Sequence, residues 1–357
     1  MTSPASVAEA LLDDGVKRRI FPAGAAEAGS SAGPLWRHAT GRLTFDADAA
    51  ETTAATIFDL ASLTKPIATT SVALKLEADG LLDFDTRLAA AFADWTGADR
   101  SGVTVRHLLE HTSGLSPRLL DRPPLDRRAF EREICTMPLE YVPGTKALYS
   151  DLGFILLQFC CEQRGQAILA FQTDALLQPL LGEHQDAQLL TSLHTEQRRR
   201  TAPTDPLPED ERRGRRLVGE VHDNYAAALG GFAGHAGLFG TASGVGIFAA
   251  VVLRAARGMD AAPRPFTPSI VRRAVSRTRV PGSSRAMGWD TMLPTSSCGT
   301  RMSSAAFGHV GFTGTSLWID PERDRYFVLL TNRVCDGGTS EDMQQVRRSF
   351  HDALGDF

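Results

Sequence analysis

The sequence predicts a mixed α/β fold in which both ends of the chain meet in one sheet and the middle forms a helical lobe. Strand-like stretches lie near both termini, and segments with helical spacing fill the region between them. With 357 residues, 43% of them hydrophobic, the chain can bury one large core or two smaller ones. A cleft between the sheet and the lobe is then the expected place for a ligand.

The elements follow in chain order. Residues 5–20 read as a short helix leading into a β region, and residues 34–38 and 41–45 read as an early hairpin. Residues 62–79 carry Leu63, Ile67, Val72, Leu74 and Leu76 at helical spacing and stop at Asp79-Gly80. Residues 103–110 form a short helix ended by Ser113-Gly114, and residues 152–163 and 167–181 form two more. Residues 196–216 mix prolines and charges with few apolar side chains, which predicts an exposed loop whose arginines are a solvated face. A Gly- and Ala-rich stretch at 230–246 leads into a helix that runs to about Arg257. Residues 304–308, 315–320 and 325–332 read as strands, the last two joined by a turn at 321–324, and a final helix covers 340–354. No internal repeat is visible. The expected organisation is one domain, with a sheet lobe from about 1–85 and 260–357 and a helical lobe from about 86–259.

Composition narrows the function. The net charge is −4 and charged residues make up 22%, which argues against a nucleic-acid binder. The five cysteines are odd in number and lack disulfide spacing, so they read as reduced thiols suited to a reducing compartment. Residues 7–14 place acids where a secretion signal would be apolar, and the apolar runs at 154–161 and 247–253 are too short to span a membrane. The expectation is a cytoplasmic protein with no membrane span, with export and oligomeric state left open. Trp36, Trp95, Trp289 and Trp318 read as core residues.

The most informative stretch is residues 58–66, F-D-L-A-S-L-T-K-P. Pro66 fits a helix only in its first turn, which places Ser62 at the helix start and Lys65 beside it, three residues on. A helix N-terminus favours negative charge, and a neighbouring lysine, when neutral, can take the serine proton. Only four lysines occur in the chain, so one in this place stands out. S-x-x-K alone is nevertheless common by chance.

Three further segments add to it: residues 103–115 (V-T-V-R-H-L-L-E-H-T-S-G-L), 142–154 (V-P-G-T-K-A-L-Y-S-D-L-G-F) and 308–318 (G-H-V-G-F-T-G-T-S-L-W). Together and in this order, they resemble the serine β-lactamase and penicillin-binding-protein family, over residues 55 to 335. The likeness is strongest to its class C β-lactamase, D-alanyl-D-alanine carboxypeptidase and esterase branch. The resemblance implies an antiparallel sheet flanked by helices with an inserted all-helical lobe. It implies Ser62 as the acylated nucleophile, Lys65 as its partner and Tyr149 as the proton shuttle. It implies His309, Val310 and Gly311 as the motif on the strand that flanks the cleft, with the backbone N–H groups of Ser62 and Phe312 as the oxyanion hole. The sequence departs from the pattern twice. Asp151 stands where many members carry Asn, and a carboxylate near Lys65 favours its charged form, shifting base work to Tyr149. Val310 stands where a hydroxyl residue is usual, which tilts the expected substrate from a β-lactam or D-Ala-D-Ala peptide towards an ester or an unusual amide.

Other signals compete. His107-Leu108-Leu109-Glu110-His111 fits H-x-x-E-H, an inverted zinc-protease motif, but no third ligand is identifiable and Thr112-Ser113-Gly114 ends the helix. The glycine-rich stretch 230–239 lacks the G-K-[ST] of a phosphate loop and resembles a cleft-lining loop, in which His235 is a candidate substrate contact. The expected activity is acyl transfer to water from an ester, amide or β-lactam of a small-molecule or peptide substrate, with no metal or organic cofactor. The alternatives are a D-alanyl-D-alanine carboxypeptidase or class C-like β-lactamase, and, in another class, a non-catalytic ligand-binding module of the same fold.

Overall fold

In the computed structural model, which describes residues 3–119, 122–184, 186–259 and 263–355, both ends of the chain build one sheet. Helix α1 (Pro4–Lys17) is capped by the Ser3 hydroxyl and leads into strands β1 (Ala23–Ser30) and β2 (Gly33–Gly41). Strand β3 (Phe58–Asp59) precedes a 3-10 turn at Ala61–Leu63, a π-helical stretch at Lys65–Thr70 and helix α2 (Ser71–Ala78). The lobe continues with α3 (Val105–Leu109), α4 (Arg127–Thr136), α5 (Asp151–Gly165), α6 (Leu169–Leu181), β4 (Leu189–Leu190), α7 (Thr195–Arg199), α8 (Asn224–Ala228) and β5 (Phe239–Gly240). Helices α9 (Ala242–Ala256) and α10 (Pro268–Ala274) return the chain to the sheet, which is completed by β6 (Asp290–Thr291), β7 (Phe307–Val310), β8 (Ser316–Asp320) and β9 (Arg325–Thr331). Helix α11 (Ser340–Leu354) ends the described chain.

The sheet is antiparallel throughout, in the order β2-β1-β9-β8-β7-β6. Strand alternation divides its side chains between two cores. Leu317, Ile319, Tyr326, Val328 and Leu330 face Val245, Phe248 and Ala249 of α9. Trp318, Phe327 and Leu329 face Leu12 of α1 and Met343, Phe350 and Leu354 of α11. Period-2 alternation explains why these strands were legible as strands.

Three expectations are corrected. The hairpin is β1–β2, and of the expected strand at 41–45 only Gly41 lies in a strand, as the last residue of β2. Strand β1 reads A-G-A-A-E-A-G-S and lacks β-branched residues, yet it is buried along its whole length between β2 and β9. Small residues are needed because its neighbours come close: a Cβ at Gly29 would lie 2.3 Å from the Tyr326 ring, and one at Gly246 of α9 would lie 1.8 Å from Glu27 Oε1. Second, β7 lies at 307–310, a few residues beyond the expected 304–308. Third, the lobe is not all helical, because β3, β5 and β4 form a small antiparallel sheet.

The stretch expected as an exposed loop at 196–216 begins instead in helix α7, and its arginines lie towards the surface, with Arg215 paired to Glu220 and Arg216 to Asp46 and Asp205. Thr201 and Thr204 within it are buried, and Thr201 bridges to Ile57. Trp95, Trp289 and Trp318 are core residues, and all five cysteines are buried free thiols. Among the described residues, no helix is long and apolar enough to cross a membrane.

Candidate active site

The turn before Ser62 is held from several sides. Ala61 adopts a left-handed φ of 47°, a conformation that costs energy for a residue with a side chain. Asp59 fixes it, accepting from the Ala61 N–H at 2.8 Å through one oxygen and from the His222 N–H at 2.7 Å through the other. Burial raises the Asp59 pKa to about 6. From the sheet side, Thr313 Oγ1 donates to Asp59 O at 2.8 Å and Thr315 Oγ1 to Leu60 O at 3.0 Å.

Ser62 Oγ then lies 2.6 Å from the Tyr149 hydroxyl and 3.0 Å from Lys65 Nζ. Lys65 is fully buried at the start of the π-helical stretch, and π distortions frequently mark functional sites. Its Nζ also donates to Asp151 Oδ1 at 2.8 Å and to the His235 carbonyl at 3.0 Å. These three acceptors saturate an ammonium. A neutral amine fits the same geometry by donating to two and accepting from the serine hydroxyl. Burial alone would lower the Lys65 pKa, but Asp151 and Tyr149, through charge and hydrogen bonding, together outweigh it and the net shift is upward. Burial likewise raises the Tyr149 phenol, against the pull of the Lys65 charge. At neutral pH both partners of Ser62 therefore hold their protons.

Asp151 does not act on Lys65 alone. Arg118 Nη1 donates to Asp151 Oδ2 at 3.1 Å and to Asp223 Oδ2 at 2.8 Å, and His235 Nε2 meets Asp223 Oδ1 at 2.7 Å. Burial opposes ionisation of Asp151 and Asp223, but Lys65 and Arg118 for the first, and His235 and Arg118 for the second, hold both below the usual carboxylate range. The web closes on itself, since the His235 backbone carbonyl reaches Lys65.

The opposite wall is formed by β7 and the residues after it. Ser62, Tyr149, His309, Val310, Gly311 and Phe312 line a cleft of about 390 Å³, with Arg285, Arg333 and Arg347. Gly311 is required by close approach: a Cβ there would lie 2.1 Å from Thr315 Oγ1 and 2.7 Å from Leu60 O, on the nucleophile turn itself. Phe312 is half exposed, and its N–H makes no hydrogen bond among the described residues. His309 Nδ1 donates to Val310 O at 2.8 Å, so its Nε2 carries a lone pair that finds no partner among the described residues. Burial, with Lys65 and Arg285 nearby, keeps this imidazole neutral.

The structure thus brings Ser62, Lys65, Tyr149 and Asp151 into one hydrogen-bonded group, with His309, Gly311 and Phe312 beside it. His235 departs from its expected place. It is buried, with its ring against Asp223 and only its backbone carbonyl on Lys65. His107 and His111 do not share a helical face either. Helix α3 ends at Leu109, His111 takes a φ of 57°, and its Nδ1 accepts from the Ser150 N–H at 3.1 Å. That bond and the packing of the His111 ring against Tyr149, tilted by 37° at 4.8 Å, place it as a support for the tyrosine. Arg118, Asp223, Arg285 and Arg347 were not identified from the sequence. They are isolated charges outside the motifs, in a chain where arginine is abundant.

The β-lactamase family profile matches residues 10–349. The chain belongs to the β-lactamase family. One relative, from Escherichia coli strain K12, is named "Putative D-alanyl-D-alanine carboxypeptidase"; it is 29% identical over 308 residues, which cover 79% of this chain and 70% of the relative. Among solved structures, the β-lactamase/D-alanine carboxypeptidase from Pseudomonas syringae has a TM-score of 0.77 at 14% identity, covering 98% of both chains. EstCE1, described as a hydrolase with promiscuous acyltransferase activity, has a TM-score of 0.74 at 19% identity, again covering 98% of both. These likenesses establish the fold as that of β-lactamases and transpeptidases. The chain is a hydrolase of this family, related to D-Ala-D-Ala carboxypeptidases, esterases and class C β-lactamases.

Proposed function

We propose that this β-lactamase-family hydrolase works through an acyl-enzyme on Ser62. The observation that carries the reading is the placement of Ser62 Oγ within hydrogen-bond distance of both Tyr149 and Lys65, at the floor of the cleft. In the first step, Ser62 Oγ attacks a carbonyl carbon, and its proton passes to Tyr149 or Lys65, whichever has lost its own. The tetrahedral oxyanion is held by the Ser62 and Phe312 N–H groups. It collapses with cleavage of the bond to the leaving group, which takes the proton back from Tyr149. Water then attacks the ester, gives its proton to the same pair, and releases the acid and Ser62.

The reactive form has one proton fewer than the resting site. Both candidate bases hold their protons above the usual range, so this form is a minority at neutral pH and grows as pH rises. Asp151 is a main reason, since its charge raises Lys65 directly and also disfavours the Tyr149 phenolate. Val310 supports an ester or an unusual amide as substrate, because it offers no hydroxyl for a substrate carboxylate. A D-alanyl peptide is the second reading, favoured by the name of the Escherichia coli relative.

The test is turnover of a p-nitrophenyl ester and labelling by a fluorescent penicillin, in wild type and Ser62→Ala. Ester turnover that vanishes in the variant, with slow or absent penicillin labelling, is expected. Turnover that survives in Ser62→Ala would refute the mechanism. Penicillin labelling as fast as ester turnover would favour the second substrate reading.

A further inference from the structure

We infer that Arg347 is a positioning residue that strengthens the oxyanion donor from behind, by polarising the peptide group between Gly311 and Phe312. This rests on the reading of Ser62 as the acylated residue. Arg347 lies on α11, and its Nη2 donates to the Gly311 carbonyl at 2.6 Å and to the Thr315 carbonyl at 2.9 Å. The Gly311 carbonyl and the Phe312 N–H are two ends of one planar peptide group. In a trans peptide they point in opposite directions within the plane, so a cation on the oxygen lies at the opposite edge of the group from whatever the N–H meets. A charged donor at a carbonyl oxygen is a strong hydrogen bond, and it draws electron density away from the N–H at the other end. The same N–H is the one left without a partner beside Ser62.

The charge itself needs an explanation. Arg347 is 9% exposed, and among the described residues its hydrogen bonds go to backbone carbonyls and its Nε has no partner. Burial and the neighbouring Arg333 push its pKa down to about 9, so it is charged at neutral pH. Arg118 gives the contrast: it too is held inside the site, but it faces two carboxylates. A buried charge without a counter-ion is costly, and a neutral amide would pin two carbonyls as well. The negative charge that Arg347 complements is the one that develops on the substrate oxygen during reaction. Such complementarity acts on the transition state more than on the bound substrate, because the charge is present only there.

A substrate carboxylate is the rival explanation, since Arg347 lines the cleft. The test therefore uses two acyl donors, the neutral ester p-nitrophenyl butyrate and a carboxylate-bearing penicillin. It compares wild type with Arg347→Gln, which keeps a donor but loses the charge, and Arg347→Lys, which keeps the charge. Deleting an oxyanion donor outright typically costs roughly 100- to 1,000-fold, and weakening one should cost about 10-fold. Arg347→Gln should lose that factor in kcat with KM little changed, for both donors, and Arg347→Lys should recover most of it. The carbonyl stretch of the acyl-enzyme should move to higher wavenumber in the Gln variant, a signature that loss of stability alone does not produce. Arg347→Met against Arg347→Lys gives the same comparison if the Gln variant fails to fold. A loss confined to the penicillin would overturn the inference, as would equal activity of the Gln and Lys variants. A wild type that forms no acyl-enzyme would bring down the Ser62 reading and this one together. A wild-type acyl-enzyme with kcat and carbonyl stretch unmoved in Arg347→Gln would bring down this one alone.

Discussion

The two sides of the cleft are built differently. Behind Ser62, the ionised groups are saturated: Lys65 has three acceptors, Asp151 two cationic donors, and Asp59 two backbone donors, and the atoms left unpaired there among the described residues are imidazole nitrogens, His235 Nδ1 and His111 Nε2. On the β7 side, among the described residues, the unpaired groups include a charged one and a backbone donor that line the cleft: Arg347 Nε, the Phe312 N–H and, with them, His309 Nε2. Saturation fixes protons in place, and it costs reactivity, because a fully satisfied ammonium is a poor base. Unpaired groups cost stability and leave interactions available to a substrate or transition state. The floor is the part that fixes proton positions, and the wall is the part that awaits charge.

The comparison can be broken first at Tyr149, the one proton-handling group that spans both sides. Tyr149→Phe keeps the ring packed against His111 and His309 and removes the hydroxyl from Ser62. Steady-state ester hydrolysis should fall by roughly 100- to 10,000-fold, the range for a general acid–base group, with the melting temperature little changed. A loss under tenfold would move the proton work to Lys65. The joint between the two sides comes next. Gly311→Ala forces the β7 wall away from the Leu60 carbonyl, and a displacement on this scale is expected to cost about 100-fold in kcat/KM. Retained activity would mean that the wall does not position the oxyanion.

Asp151→Asn loosens the floor instead. Losing the carboxylate removes the main force raising Lys65 and one force raising Tyr149, so both should give up protons at lower pH. The rising limb of kcat/KM against pH should shift down by roughly 1–3 units, the scale of one close charge. An unchanged profile would contradict the account of the resting state. The smallest effect belongs to the wall's own side chain. Val310→Thr should raise penicillin acylation relative to ester hydrolysis by about fivefold, the worth of a single hydrogen bond. No change in that ratio would remove Val310 as a determinant of substrate preference.

Legibility in the sequence follows the same division. Ser62 and Lys65 were visible because a proline two positions inside a helix start fixes where the serine sits. Tyr149 and the place of β7 beside the nucleophile were visible only through a likeness spread over several segments, although β7 itself was read as a strand from its own pattern. Arg118, Asp223 and Arg347 join the site from distant points through single side chains, and no local spacing marks them. Strand β1 was hidden for a packing reason: contact with α9 and Tyr326 selects glycine and alanine over the β-branched residues that signal a strand. His235 was misplaced because its backbone, not its ring, reaches Lys65.

The most direct test of the central claim is intact-mass analysis of the wild-type protein quenched during turnover of a p-nitrophenyl ester, followed by fragmentation to locate any adduct. The account predicts a mass gain equal to the acyl group, carried on Ser62. An adduct on another residue, or hydrolysis with no adduct even when deacylation is slowed by a bulky acyl group, would contradict it.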